Sequence, residues 1–229
     1  MKAELRRFGT SDSPVVVIDD LSGDSEAIAR LAHALAPFPK VSEQSYYPGV
    51  RRIITRADRD ADAYVERTCW DAAQFIAGAF GVEGFDLIEA SFSIVSSKPA
   101  ELRPAQRAPH FDSTDQKYYA LLHYLRVPEG TGTAFYRQRA TGIERVTEDN
   151  VDAFVATALT ATAALPAGSG YIVGSNDAYE QIGAIEAVPD RLLIYQGSLL
   201  HSGIIPDGMK FTTDPREGRL TANLFVRGH

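Results

Sequence analysis

The sequence predicts a mainly β fold with helices packed outside it, an α+β arrangement built on a sandwich or barrel. Three observations predict it. Helical periodicity is concentrated before Gly84. Beyond that point, short runs rich in β-branched and aromatic residues take over. Gly, Pro and Asp turn signals such as Pro189–Asp190 and Pro206–Asp207–Gly208 separate those runs.

Taken in order, residues 15–18 are a β-branched run ending in Asp19 and Asp20, and read as a strand. Residues 25–35 place Ile28, Leu31, Ala32 and Leu35 at helical spacing, with Pro37 as a stop. Tyr46, Tyr47, Pro48 and Gly49 form a turn with aromatic anchors. Residues 61–80 form a second helix, on which Tyr64, Thr68, Ala72, Phe75 and Ala79 recur at three- or four-residue intervals and Gly81 supplies the cap. Strands are expected over 85–95, 118–127, 134–137, 171–173, 191–195, 199–202 and 219–226. A short Ala/Thr-rich helix is inserted at 150–165. Internal repeats and low-complexity linkers are absent, so 1–229 reads as one domain: a helical support over 1–84 and a β-core over 85–229.

At 229 residues, with 45% hydrophobic and 23% charged positions, the chain can bury a core without covalent staples. Its net charge of −7 offers no attraction to nucleic acid or an anionic membrane. The one cysteine, Cys69, rules out an intrachain disulfide. Its aromatic neighbours mark it as a small core residue. Residues 1–10 lack the apolar run of a signal peptide, and no stretch is apolar enough for a membrane span. The expected setting is the cytoplasm. A homodimer remains open as the oligomeric state.

Chemistry concentrates at Pro109–His110–Phe111–Asp112. On extended backbone, residues i and i+2 face one way, so His110 and Asp112 present an imidazole and a carboxylate together. His201, where a strand approaches a turn, can complete the set. Two histidines and a carboxylate on one octahedral face leave three positions open, the arrangement of non-haem iron(II) oxygenases. The plain alternative for His110 is a surface or capping histidine. Of the other histidines, His33 reads as a helix-surface residue, His123 as a hydrogen-bonded core residue, and His229 is terminal.

Arg219, Thr221 and Asn223 share one strand face. An inward arginine needs an anion, and its planar fork matches a carboxylate. 2-Oxoglutarate would supply one, with a surface ion pair to Glu217 as the alternative. Substrate-facing candidates are Tyr136, Arg137 and Arg139 at a strand end, and Asn176, Asp177, Tyr179 and Glu180 as a lid. Solvated loops explain both groups equally well.

From Ser91 to Val226 this pattern resembles the iron(II)/2-oxoglutarate-dependent dioxygenases, on the prolyl-hydroxylase-like side. It is closer to uncharacterised bacterial members than to any with an assigned substrate. The resemblance implies a double-stranded β-helix, or jelly roll, whose mouth holds the metal. It also implies that His110, Asp112 and His201 are the iron ligands and catalytic centre. Arg219 and Thr221 would bind the distal carboxylate of 2-oxoglutarate, and Tyr124 would fill an aromatic position that often hydrogen-bonds it. The implied activity is hydroxylation of a peptide, amino-acid-like or other small substrate. Two features depart from the pattern. Arg219 stands eighteen positions after His201, later than usual, with an enlarged loop between them. The turn at Gly130–Thr133 also lacks adjacent glycines. Two other functions remain open: a cupin-like metal enzyme without 2-oxoglutarate, and a non-catalytic protein that binds a ligand in its β-helix.

Overall fold

The computed structural model describes residues 1–42, 45–166 and 168–229. In chain order the strands are β1 (Lys2–Phe8), β2 (Ser13–Asp19), β3 (Gly49–Ile53), β4 (Phe85–Val95), β5 (Tyr118–Arg126), β6 (Gly132–Gln138), β7 (Tyr179–Glu186), β8 (Arg191–Gln196), β9 (His201–Ile204) and β10 (Arg219–Gly228). The α-helices are α1 (Ser25–Ala34), α2 (Arg59–Phe80) and α3 (Val151–Ala163). Two antiparallel sheets result: a seven-stranded one in the order β1-β2-β8-β5-β10-β4-β3, and a three-stranded one in the order β7-β6-β9.

Alternation along the central strands sorts side chains between two cores. On β5, Leu121, His123 and Leu125 face the helices, and Ala120, Leu122 and Tyr124 face the small sheet. The outer core joins Ile18, Leu121, Ile194 and Leu224 to Tyr64, Val65, Ala72 and Ile76 of α2. The inner core joins Val15, Val17, Leu193 and Tyr195 to Phe135, Ile185 and Leu199. Two apolar faces closing on one another make the two-sheet jelly roll that the family resemblance implies. Gly81 ends α2 as read, with φ 68°, and Asp24 caps α1 through the Ala27 amide.

Several expectations need correction. Besides β2, which matches the strand expected over 15–18, the first 84 residues contribute β1 and β3 to the large sheet. β1 alternates Lys2, Glu4 and Arg6 along an exposed edge, which hides it from a hydrophobicity reading. The segment read as a turn runs straight into β3. Residues 171–173 form no strand; the Tyr171 hydroxyl there donates to the Ser97 carbonyl at 2.7 Å. The strand expected over 199–202 starts at His201 and ends at Ile204. No helix of the described residues is long and apolar enough to cross a membrane.

His123 is a fully buried core histidine, as read. Its Nδ1 meets the Tyr64 hydroxyl at 2.8 Å, and its Nε2 meets Asp190 Oδ1 at 3.0 Å. Asp190 also accepts from the Ser22 amide and hydroxyl and the Gly23 amide, at 3.0, 2.6 and 2.7 Å. Against the cost of its burial, these donors hold the carboxyl down at about 2. A depressed carboxylate stabilises the fold above its unfolded pKa, and that stability is lost as pH falls through the folded value. The expected contribution is about 2 kcal/mol, lost between about pH 4 and pH 2. Urea melts of wild type and Asp190→Asn should therefore differ at pH 6 and converge at pH 2. Equal stabilities at pH 6 would refute the assignment.

Candidate metal centre

The His110–Asp112 segment forms no strand, contrary to expectation. It is held extended by a single bridge to His201, with N–O distances of 2.9 Å both ways, and by the Asp112 amide donating to Gly197 at 2.7 Å. The backbone nevertheless alternates as predicted. Phe111 turns away to meet Phe154 edge-on at 5.6 Å, which leaves His110 and Asp112 together on the other side. Gly197 is needed here for close approach. A Cβ at this position would lie 2.7 Å from the Tyr118 ring and 3.2 Å from Asp112 Cβ.

The three side chains converge. Asp112 Oδ1 lies 3.9 Å from His110 Nε2, and Oδ2 lies 3.7 Å from His201 Nε2; all three ligand atoms fall within 4.8 Å of one another. Donors at right angles about one ion, each about 2.1 Å from it, stand about 3 Å apart, so a small inward movement closes the set on a metal. His201 Nδ1 lies 2.8 Å from the Leu199 carbonyl. A carbonyl can only accept, so Nδ1 carries the proton and Nε2 keeps its lone pair for the centre. Burial, reinforced by His201, lowers His110 to about 4; burial alone lowers His201 to about 4, against the Leu199 hydrogen bond. Both rings are therefore neutral ligands at pH 7. Burial raises Asp112 to about 6, opposed by His110 and Arg51, and its buried Oδ2 has no hydrogen-bond donor among the described residues. A buried, unserved carboxylate between two neutral imidazoles fits a divalent cation.

The centre opens into a cavity of about 280 Å³ between the sheets, which Arg219, Thr221 and Thr133 also line. Arg219 is 4% exposed, so it is not the surface partner of Glu217, which pairs with Lys210 instead. Its Nη2 donates to the Gly132 carbonyl at 3.2 Å, its Nε has no acceptor, and it makes no ion pair among the described residues. Tyr124 lies behind it: the ring is 5.5 Å from the guanidinium carbon, and the hydroxyl meets Thr133 Oγ1 at 2.7 Å. Tyr124 is therefore outside the cavity lining. The late arrival of Arg219 is absorbed by residues 205–218, whose Met209 and Phe211 pack with Tyr171. Gly218 lets this loop rejoin the sheet, since a Cβ there would meet Ile94 Cγ2 at 2.6 Å.

The substrate-facing groups read from the sequence lie elsewhere. Arg137 pairs with Glu144 and Glu180, Arg139 binds the Asn176 carbonyl at 2.9 Å, and neither lines the cavity. Tyr179 is buried on β7 rather than in a lid. Cys69 is partly buried, and burial raises its thiol to about 11, as suits an inert packing residue. The sequence reading missed Tyr47, Arg51, Tyr171 and Tyr195 of the lining. For Arg51 the signal was present in the alternation of Gly49, Val50 and Arg51, with Val50 buried on the opposite face.

A family model matches residues 1–226. The chain belongs to a family of unknown function, DUF6445. No curated protein matches its sequence. Among solved structures, this DUF6445 chain is similar to the non-heme alpha ketoglutarate dependent epimerase SnoN from nogalamycin biosynthesis. The TM-score is 0.54 at 14% identity, over 94% of this chain and 79% of that one. HygX from Streptomyces hygroscopicus, solved with nickel, 2-oxoglutarate and hygromycin B bound, is similar with a TM-score of 0.51 at 14% identity, over 94% and 83%. A prolyl-4-hydroxylase from Pseudomonas putida gives 0.46 at 12% identity, over 96% and 95%. At these identities the likeness to SnoN and HygX establishes the fold, a double-stranded β-helix.

Proposed function

We propose that residues 1–229 act as a single non-haem iron(II)- and 2-oxoglutarate-dependent dioxygenase domain that hydroxylates a peptide, amino-acid-like or other small substrate. The observation that carries this reading is Arg219. A buried guanidinium without a carboxylate partner among the described residues shares one cavity with a two-histidine, one-carboxylate cluster. SnoN is alpha ketoglutarate dependent and HygX was solved with 2-oxoglutarate bound, which supports the assignment.

His110, Asp112 and His201 would hold iron(II). When bound, iron supplies open coordination positions at which O₂ reduction is coupled to oxidative decarboxylation of 2-oxoglutarate to succinate and CO₂. The protein's own work is positional. Arg219 and Thr221 would bind the distal carboxylate, and the Tyr124 hydroxyl, bonded to Thr133, fixes the wall against which they stand. The Leu199 carbonyl keeps His201 in its ligating tautomer. Tyr195, edge-on to His201 at 4.8 Å, helps keep bulk water from the centre. With a single cysteine and no charge pattern for membrane or nucleic acid, we place this activity in the cytoplasm.

Adding iron(II) and 2-oxoglutarate without oxygen should produce a weak visible charge-transfer band, and admitting oxygen should yield succinate. A spectrum without the band, together with no titratable 2-oxoglutarate binding, would overturn the proposal.

A further inference from the structure

A second arginine enters the same cavity from the sheet edge. Arg51 on β3 stands in register with Ser93 of β4, which stands in register with Thr221 of β10, so the three face inward together. Its Nη2 donates to Glu89 Oε1 at 2.6 Å and to Ser91 Oγ at 2.8 Å. Its Nε is buried without an acceptor among the described residues, and the Tyr47 ring centroid lies 5.9 Å from the guanidinium carbon. One row along, Asn223 donates to Ser93 Oγ at 3.0 Å, and its buried Oδ1 receives no hydrogen bond among the described residues. A sheet edge needing only an ion pair would leave Arg51 in solvent with Glu89. Here its side chain is 21% exposed and lines the reaction cavity.

The charge of that cavity is specific. Among the described residues its lining includes two guanidinium groups and a single carboxylate, that of Asp112. A metal would engage Asp112, and 2-oxoglutarate would engage Arg219. What remains facing the open space is a cation at Arg51 and an unsatisfied acceptor at Asn223. Guanidinium groups bind carboxylates along more than one edge, so the contact to Glu89 leaves another edge available.

We propose that Arg51 and Asn223 form the subsite for the second substrate, a compound bearing a carboxylate with an N–H or O–H group beside it, such as an N-acyl amino acid. This rests on the oxygenase reading above. It narrows the substrate class: Arg51 holds the carboxylate, Asn223 accepts from the neighbouring donor, and a cationic end group finds no free carboxylate among the described residues of the lining. Glu89 competes with the substrate for the same guanidinium.

The test uses the full chain loaded with zinc and saturated with 2-oxoglutarate. N-acetyl-L-alanine and its methylamide are titrated by calorimetry or by chemical-shift perturbation. The acid should bind saturably, and the amide about tenfold more weakly. Arg51→Gln should weaken the acid about ten- to a hundredfold without changing the affinity for 2-oxoglutarate. Asn223→Ala, which leaves the Arg51–Glu89 pair intact, should weaken it severalfold and provides the reading if Arg51→Gln does not fold. Glu89→Gln should tighten it severalfold by removing the competitor. Acid and amide binding alike, no saturable binding of the acid, or unchanged acid affinity in both Arg51→Gln and Asn223→Ala would overturn the proposal. So would loss of 2-oxoglutarate binding in Arg51→Gln with retention in Arg219→Gln. If wild type fails to bind 2-oxoglutarate at all, the oxygenase reading falls. The acid can still be titrated against zinc-loaded protein, so the two failures are distinguishable.

Discussion

Asp112→Ala should fold and yet fail to retain a divalent ion. The buried Oδ2 of Asp112 serves no other group of the described residues, so its removal leaves no donor orphaned. It does remove the only formal negative charge of the ligand set. Outer-sphere partners of metal ligands are typically worth ten- to a hundredfold in affinity, so loss of the carboxylate ligand itself should cost at least about a hundredfold. Metal content after dialysis against excess zinc or manganese should fall from near one equivalent to a trace. The rise in melting temperature that zinc gives wild type should disappear with it. Asp112→Asn, which keeps the shape and loses the charge, should fall between the two. A metal content unchanged in Asp112→Ala would move the centre away from these residues.

The central architecture was legible because its strands are short runs of β-formers separated by turn signals. β4 and β10 keep a two-residue period in the sequence, whereas β5 and β8, buried on both faces, read as short apolar runs bounded by turn signals. β1 and β3 were missed because edge strands carry charges rather than an apolar stripe. β7 was missed because half-buried polar residues interrupt its pattern, and its first residues, Tyr179 and Glu180, were grouped with Asn176 and Asp177 as a lid. The ligand pair His110 and Asp112 was visible through its i, i+2 spacing, although one backbone bridge, not a strand, supplies the extended conformation. What no local pattern could disclose was pairing at a distance. Arg137 is taken up by Glu144 and Glu180, whereas Arg219 meets no acid among the described residues. Only the assembled sheets decide which arginine is left for a ligand.

That distinction gives Arg219 two measurable consequences of opposite sign. A buried guanidinium loses its hydration, and here it recovers one hydrogen bond, to Gly132, and the face of Tyr124. No carboxylate of the described residues compensates the charge, so the ligand-free fold carries the penalty until an anion arrives. Arg219→Met keeps much of the volume and removes the charge. It should raise the stability of the ligand-free protein by about 1–2 kcal/mol, since replacing buried ions with apolar groups of similar size is often stabilising. For a chain of this size that is a rise of about 2–8 °C in melting temperature. The same variant should bind 2-oxoglutarate at least about a hundredfold more weakly, through loss of a charge-assisted, two-pronged contact. Stabilisation together with loss of binding marks a residue kept for a ligand rather than for the fold. If Arg219→Met instead lowered the melting temperature and left 2-oxoglutarate affinity intact, the arginine would be structural, and the anion site would have to lie elsewhere in the cavity.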